Sequence, residues 1–235
     1  RDGTVLRIDH DRLSIEGQLE YANVVPFPRR ILAPGIMGWY SFVPFMQCYH
    51  GVVSVDHDVS GTVNVNGESI DYNGGRGYIE KDWGTSFPDS WIWTQCNTFD
   101  KPGISFMFSV AKIPWLGRFF VGHVAFLLVD GEVYRFTTYN GTRIAALTYD
   151  GEALRCRIEG KRRFIEFTAR RKRSGELKAP RTGRMSRLIK ESVDSELTIG
   201  FADVDGGVSG NAHGTHAGLE IIDDIFDHFP GAVRN

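Results

Sequence analysis

The chain has 235 residues, 42% of them hydrophobic and 24% charged, with a formal net charge of −2, the proportions of an ordinary globular protein of one large β domain or two small ones. A near-neutral balance supplies no global field for nucleic acid, and no uninterrupted apolar run reaches the roughly 18–20 residues that a membrane span requires. Cys48, Cys96 and Cys156 are odd in number and far apart, which fits neither a disulfide framework nor zinc-ligand spacing and favours a reducing compartment.

The opening "RDGTVLRIDH" has no starting Met, signal peptide or transit peptide, and reads as though a segment had been cut ahead of it. The first dense segment is "MGWYSFVPFMQCYHGVVSVDHDVSG", in which Phe45, Gln47 and Tyr49 alternate with Met46, Cys48 and His50. His50 suits a general base or a donor to a phenolic oxygen, and equally a satisfied histidine in a β core. "GTVNVNGESIDY" follows, a strand pair around Asn66-Gly67.

In "GYIEKDWG", strand alternation puts Tyr78, Glu80 and Asp82 on one face and Ile79, Lys81 and Trp83 on the other. Two carboxylates about 6.5–7 Å apart on a dry face raise one another's pKa, so that one stays protonated near neutrality. "WIWTQCNTF" aligns Trp91, Trp93, Gln95 and Asn97, an aromatic surface continuing into two amides. These residues read either as a ligand wall or as core tryptophans, with the acids exposed or paired to Arg76 and Lys81.

Further strand-like runs, "ISFMFSVAKI", "FFVGHVAFLLVDGEVYRFTTY", "ALRCRIEG", "RFIEFTARR" and "SELTIGFADV", are rich in β-branched and aromatic residues. Turn dipeptides at Asp130-Gly131, Asn140-Gly141, Asp150-Gly151 and Asp205-Gly206 punctuate them. The fold expected is all-β: an antiparallel meander forming a lipocalin-like barrel or bent sheet that encloses a small-molecule cavity, with little helix. No repeat or linker divides the chain, so residues 1–235 read as one domain.

Between Arg155 and Lys190 lie fourteen Lys and Arg against three Glu, which leaves −13 on the rest. That stretch reads as a solvated hairpin or as a peripheral contact with anionic lipid through residues 155–190; nucleic acid is not expected, because no stacking motif accompanies the charge. His213 and His216 in "HGTH" lack a nearby acid motif and are not read as metal ligands. "DVDGGVSGN" has Gly214 at the position of a calcium loop's bidentate Glu, and reads as a hairpin turn. "GLEIIDDIFDHF" suggests a helix docking Ile221, Ile222, Ile225, Phe226 and Phe229 on the core, opposite Asp223, Asp224 and Asp227. GxSxG, P-loop and GxGxxG patterns are absent from the sequence.

"GRGYIEKDWGTSFPDSWIWTQCNTF", preceded by "MGWYSFVPFMQCYHGVVSVDHDVSG" and followed by "NAHGTHAGLEII", resembles the tocopherol cyclase family, with distant similarity to carotenoid 1,2-hydratases through a "DxxWG"-like pattern that places Glu80 and Trp83 at acid and indole positions. The resemblance implies a lipocalin-type β architecture and a reaction in which a prenyl double bond of a hydroquinone is protonated and a phenolic oxygen closes a chromanol ring. It implies no redox cofactor and no metal. Glu80 is then the expected acid and Asp82 its alternate, with Tyr78, Trp83, Trp91 or Trp93 facing the cation and Tyr49, His50, Gln95 or Asn97 orienting the quinol oxygens. The expected partner is a hydrophobic small molecule, a prenylated aromatic. The resemblance also implies an N-terminal segment with a "FEGWYYK"-like motif ahead of residue 1. Without the plastid targeting of plant members, the chain reads as bacterial and cytoplasmic, and a noncatalytic carrier of an isoprenoid ligand is the rival reading.

Overall fold

The computed structural model describes residues 2–222 and 225–229. Fifteen strands and three short 3-10 turns make up the described chain. They fall into two compact units, one of residues 1–27 and 52–80, the other of 28–51 and 81–235.

The first unit holds β1 (Asp2–His10), β2 (Leu13–Pro26), β4 (Glu68–Asp71) and the longer parts of β3 (Cys48–Val65) and β5 (Gly75–Gly84). The strands run β1-β2-β3-β4, with β5 also on β3. Asn66-Gly67 closes the β3–β4 hairpin with both residues left-handed, as the sequence predicts. Strand period explains the core: Val55, Val59 and Val63 alternate onto one buried face. Each such side chain contributes about 1.5–3 kcal/mol through burial. His57 shares that face, its ring 4.8 Å from Tyr21.

The second unit is built on a ten-stranded antiparallel sheet. Its strands are β6 (Trp91–Cys96), β7 (Ser105–Trp115), β8 (Arg118–Val129), β9 (Glu132–Thr137), β10 (Arg143–Tyr149), β11 (Ala153–Glu159), β12 (Arg163–Arg170), β13 (Gly175–Arg181), β14 (Arg184–Asp203) and β15 (Ser209–Ile222). Their order is β10-β11-β12-β14-β15-β6-β7-β8-β9, with β13 also on β14. Phe106 and Phe108 of β7 each lie 5.1 Å from Phe167 of β12, although three strands separate β7 from β12 in that order. The sheet therefore bends over on itself. Among the described residues, Ile92, Leu127, Leu154, Ile165 and Ile199 pack into the core that this sheet buries. β9 and β10, at the two ends of the order, do not pair among the described residues, so the bent-sheet form holds and a closed barrel does not.

Several local expectations change. Asn140-Gly141 ends a 3-10 turn, Thr138–Asn140, with Gly141 as its left-handed cap, instead of making a two-residue hairpin. The helix expected over 218–229 does not form: Ile221 and Ile222 complete β15, and Ile225–His228 is a single 3-10 turn that buries Ile225 and Phe226 in the core. Pairing of β15 with β6 satisfies the backbone there more fully than an isolated short helix does. Asp223 and Asp224 lie outside the described residues. Asp205-Gly206 does turn β14 into β15, with Gly206 left-handed. All three cysteines are free. No helix among the described residues is long and apolar enough to cross a membrane.

Candidate active site

The ends of two strands build the site in the second unit. Cys48, Tyr49 and His50 open β3, and Lys81, Asp82 and Trp83 close β5. His50 Nδ1 meets Asp82 Oδ1 at 2.7 Å, with the two side chains 15% and 27% exposed. One face thus carries the imidazole–carboxylate pair. The other carries Tyr49 and Trp83, whose rings stack 5.4 Å apart and 9° from parallel. The two pairs keep to alternate positions, as strand alternation requires.

Three contacts fix these groups. Tyr49 donates its hydroxyl to the Val43 carbonyl at 2.7 Å, and Lys81 sets its ammonium 5.1 Å from the Trp83 ring centroid. The indole lies across Gly51, where an added Cβ would come within 2.9 Å of the six-membered ring. A glycine is required there by close approach.

Asp82 and Trp83 border a recess of about 110 Å³ together with Cys48, Gly84, Ser86, Phe87 and Pro180. Burial, reinforced by the Asp82 charge, pushes the Cys48 thiol up to about 12. It is therefore a neutral wall group near pH 7, not a nucleophile. Phe87 links the recess to the second sequence motif, its ring edge-on to Trp91 at 5.5 Å.

Trp91 is buried among Ala179, Ile189 and Ile222, with Trp93 packed against the same cluster. Its indole N–H donates to Glu220 Oε2 at 2.6 Å, and the Arg187 guanidinium sits 5.1 Å from its ring centroid. Trp93 lies over Gly218, where a Cβ would approach the ring to 2.5 Å. Gln95 is 9% exposed, and its Nε2 has no hydrogen-bond partner among the described residues. A buried amide N–H without an acceptor costs about 1–3 kcal/mol. Asn97 is half-buried, beyond the end of β6.

Tyr78 and Glu80 belong to the first unit, where the Tyr78 hydroxyl donates to Glu80 Oε2 at 2.6 Å. The cation expected beside the acids goes elsewhere: Arg76 binds Asp56 and Asp58 bidentately and in bridging fashion. Sequence reasoning passed over this cluster, although "VDHDV" and "GRG" carry a signal for it. Asp56 and Asp58, two apart on a strand, point to one side, where a single guanidinium reaches both. Ser54 Oγ lies 2.9 Å from His57 Nδ1, and desolvation holds the His57 pKa below its ordinary value. His57 Nε2 fills the space beside Gly77, where a Cβ would stand 2.1 Å away.

His213 and His216 do not converge: His213 Nδ1 lies 3.4 Å from Thr198 Oγ1, and His216 Nδ1 lies 3.2 Å from Thr215 Oγ1.

Two antiparallel sheets, with an imidazole–carboxylate pair beside a small recess, define an all-β protein. The chain belongs to the tocopherol cyclase-like family, whose sequence model matches residues 12–222. It is similar to the chloroplastic tocopherol cyclase of Zea mays, 27% identical over 111 residues that cover 45% of this chain and 23% of the maize protein. A probable chloroplastic tocopherol cyclase of Oryza sativa subsp. japonica is 26% identical over the same shares. The match thus spans under a quarter of the length of these plant relatives. Among solved structures, CghA superposes with a TM-score of 0.52 at 13% identity, over 88% of this chain and 61% of that one. CghA with Sch210972 gives 0.51 at 12% identity over the same shares. At such identity the likeness is one of fold.

Proposed function

We propose that the protein is a tocopherol cyclase-like enzyme that protonates the double bond of a prenylated hydroquinone, so that a phenolic oxygen closes a chromanol ring. The observation that carries this reading is the Asp82–His50 pair at the edge of a recess walled by Trp83 and Phe87, in a chain of this family. A proton held by the pair moves to the less substituted alkene carbon and leaves a tertiary cation. The phenolic oxygen attacks that cation, its O–H proton returns to the pair, and the product is an isomer of the substrate. Atoms and electrons balance with no oxidant or reductant.

The wall chemistry fits the intermediate. An indole face stabilises a desolvated cation by about 2 kcal/mol; Trp83 is 48% exposed, so cyclisation rather than hydration requires the bound substrate to cover it. A neutral Cys48 adds no competing nucleophile. Asp82 is the first choice of proton donor because it touches both the imidazole and the recess; Glu80, hydrogen-bonded to Tyr78, is the second carboxyl to test. Asp82→Asn and Glu80→Gln separate them. Loss of prenyl-hydroquinone turnover in Asp82→Asn, with tryptophan quenching by the quinol retained, supports the assignment. Full turnover in both variants removes the acid role from this segment.

A second reading has its own support. The buried, unanswered Nε2 of Gln95 beside Trp93 suits a carrier that holds an isoprenoid ligand by its oxygen. Tight quinol binding by the unmodified chain with no chromanol formed would favour the carrier.

A further inference from the structure

Several tips in the second unit carry apolar side chains into solvent where polar ones fit the backbone better. The turn between β7 and β8 is Leu116-Gly117, both left-handed, with φ of 47° and 74°. The same geometry recurs at Asn66-Gly67, Asp130-Gly131 and Thr182-Gly183, each led by a polar residue. Asn and Asp tolerate the left-handed region and a branched leucine rarely enters it, so turn geometry does not explain Leu116. It is nonetheless 90% exposed.

Phe45 repeats the pattern, left-handed at φ 62° and fully exposed. Ile31 and Leu32 form the tip of a tight turn closed by two 3.0 Å backbone hydrogen bonds between Arg30 and Ala33, and they are 92% and 78% exposed. Ring contacts tie residues 39 and 40 to the foot of the Leu116 turn: Tyr40 stacks on Trp39 at 4.0 Å and meets Trp115 at 6.0 Å.

Charge in the flanking sequence has one sign. Residues 28–49 contain Arg29 and Arg30, residues 112–122 contain Lys112 and Arg118, and neither stretch contains Asp or Glu. Protruding Leu, Ile and aromatic side chains with a collar of cations are the composition of surfaces that enter the headgroup region of anionic membranes. A stable second copy needs instead a continuous contact of about 800 Å² per partner. Separate tips that insert singly match the lipid interface.

We infer that the Ile31-Leu32, Phe45 and Leu116 tips seat the protein on an anionic lipid surface. This surface is distinct from the basic stretch 155–190, where Arg155, Arg157, Arg163, Lys172 and Arg173 each have a carboxylate partner. It does not depend on the chemistry proposed above.

The test is co-sedimentation of the full chain with phosphatidylcholine vesicles, with and without phosphatidylglycerol, for the unmodified protein and for a variant combining Ile31→Ser, Phe45→Ser and Leu116→Asn. The unmodified chain should partition to the anionic vesicles about tenfold better than to the neutral ones, and the variant should lose about tenfold in that partition. Its thermal midpoint should hold or rise, because Asn fits the left-handed turn. No partition of the unmodified chain, or undiminished partition of the variant, overturns the inference. So does loss of binding in Arg181→Gln/Arg184→Gln while the tip variant still binds, and so does self-association abolished by the tip variant without any vesicle binding.

Discussion

The two units each set an imidazole beside carboxylates, to opposite effect. In the first, His57 and Asp56 are 2% and 3% exposed, with Ser54, Tyr21 and Arg76 closing around them. In the second, His50 pairs with Asp82, and Asp82 borders a recess. The same residue types make a sealed structural knot in one place and, on the proposed function, a reactive pair in the other. What separates them is access: a satisfied, dry cluster has no room for a reacting atom, whereas a pair at the rim of a recess can pass its proton to one.

That contrast breaks most readily at Asp82. Asp82→Asn should lower prenyl-hydroquinone turnover by about 10²–10⁴-fold, the usual contribution of a positioned acid, with the melting temperature little changed; chromanol yield by mass spectrometry measures it. Arg76→Gln should do the reverse. Removing the guanidinium from a carboxylate whose side chain is 4% exposed should cost about 3 kcal/mol in denaturant unfolding, with turnover per folded molecule retained. A large loss of turnover in Arg76→Gln would erase the distinction between the clusters.

Acid should expose a third imidazole, His123. Burial lowers its pKa from 6.5 to about 4, while Thr138 and Thr142 hydroxyls hold its two ring nitrogens at 3.0 and 2.9 Å. The unfolded chain takes up this proton below pH 6.5 and the native one does so only near 4, so stability falls across that window by on the order of 3 kcal/mol. The lowered pKa of His57 acts in the same direction. Urea midpoints should drop between pH 6.5 and 4, and His123→Gln should flatten the drop. The smallest effect expected is at Trp83: replacement by Leu removes the indole face and should slow turnover by about tenfold, equivalent to roughly 1.4 kcal/mol of a cation–π contact. An unchanged rate would assign the cation's wall to Phe87 and Trp91.

Much of this was legible in the chain itself. Alternation predicted that Trp83 points away from Asp82, and the Tyr49–Trp83 stack opposite His50–Asp82 bears this out. Asn66-Gly67 and Asp130-Gly131 gave their hairpins because left-handed turns select those residues. The Gly218–Phe229 stretch misled, because its helical apolar spacing competes with a partner strand that sequence does not display: β6 claims Ile221 and Ile222. Nor did spacing predict that Arg76 serves Asp56 and Asp58, since an ion pair twenty residues apart depends on strand register.

Sequence by itself determined the all-β class, most of the strands and turns, and the family, because these follow from local backbone preference, a two-residue period and the motifs. Tertiary structure alone decided which imidazole is sealed and which pairs with a carboxylate beside a recess, that Phe87 ties that recess to Trp91, and that the bent sheet buries a packed core. Those outcomes depend on which strand lies beside which, and on the volume left between side chains far apart in the chain.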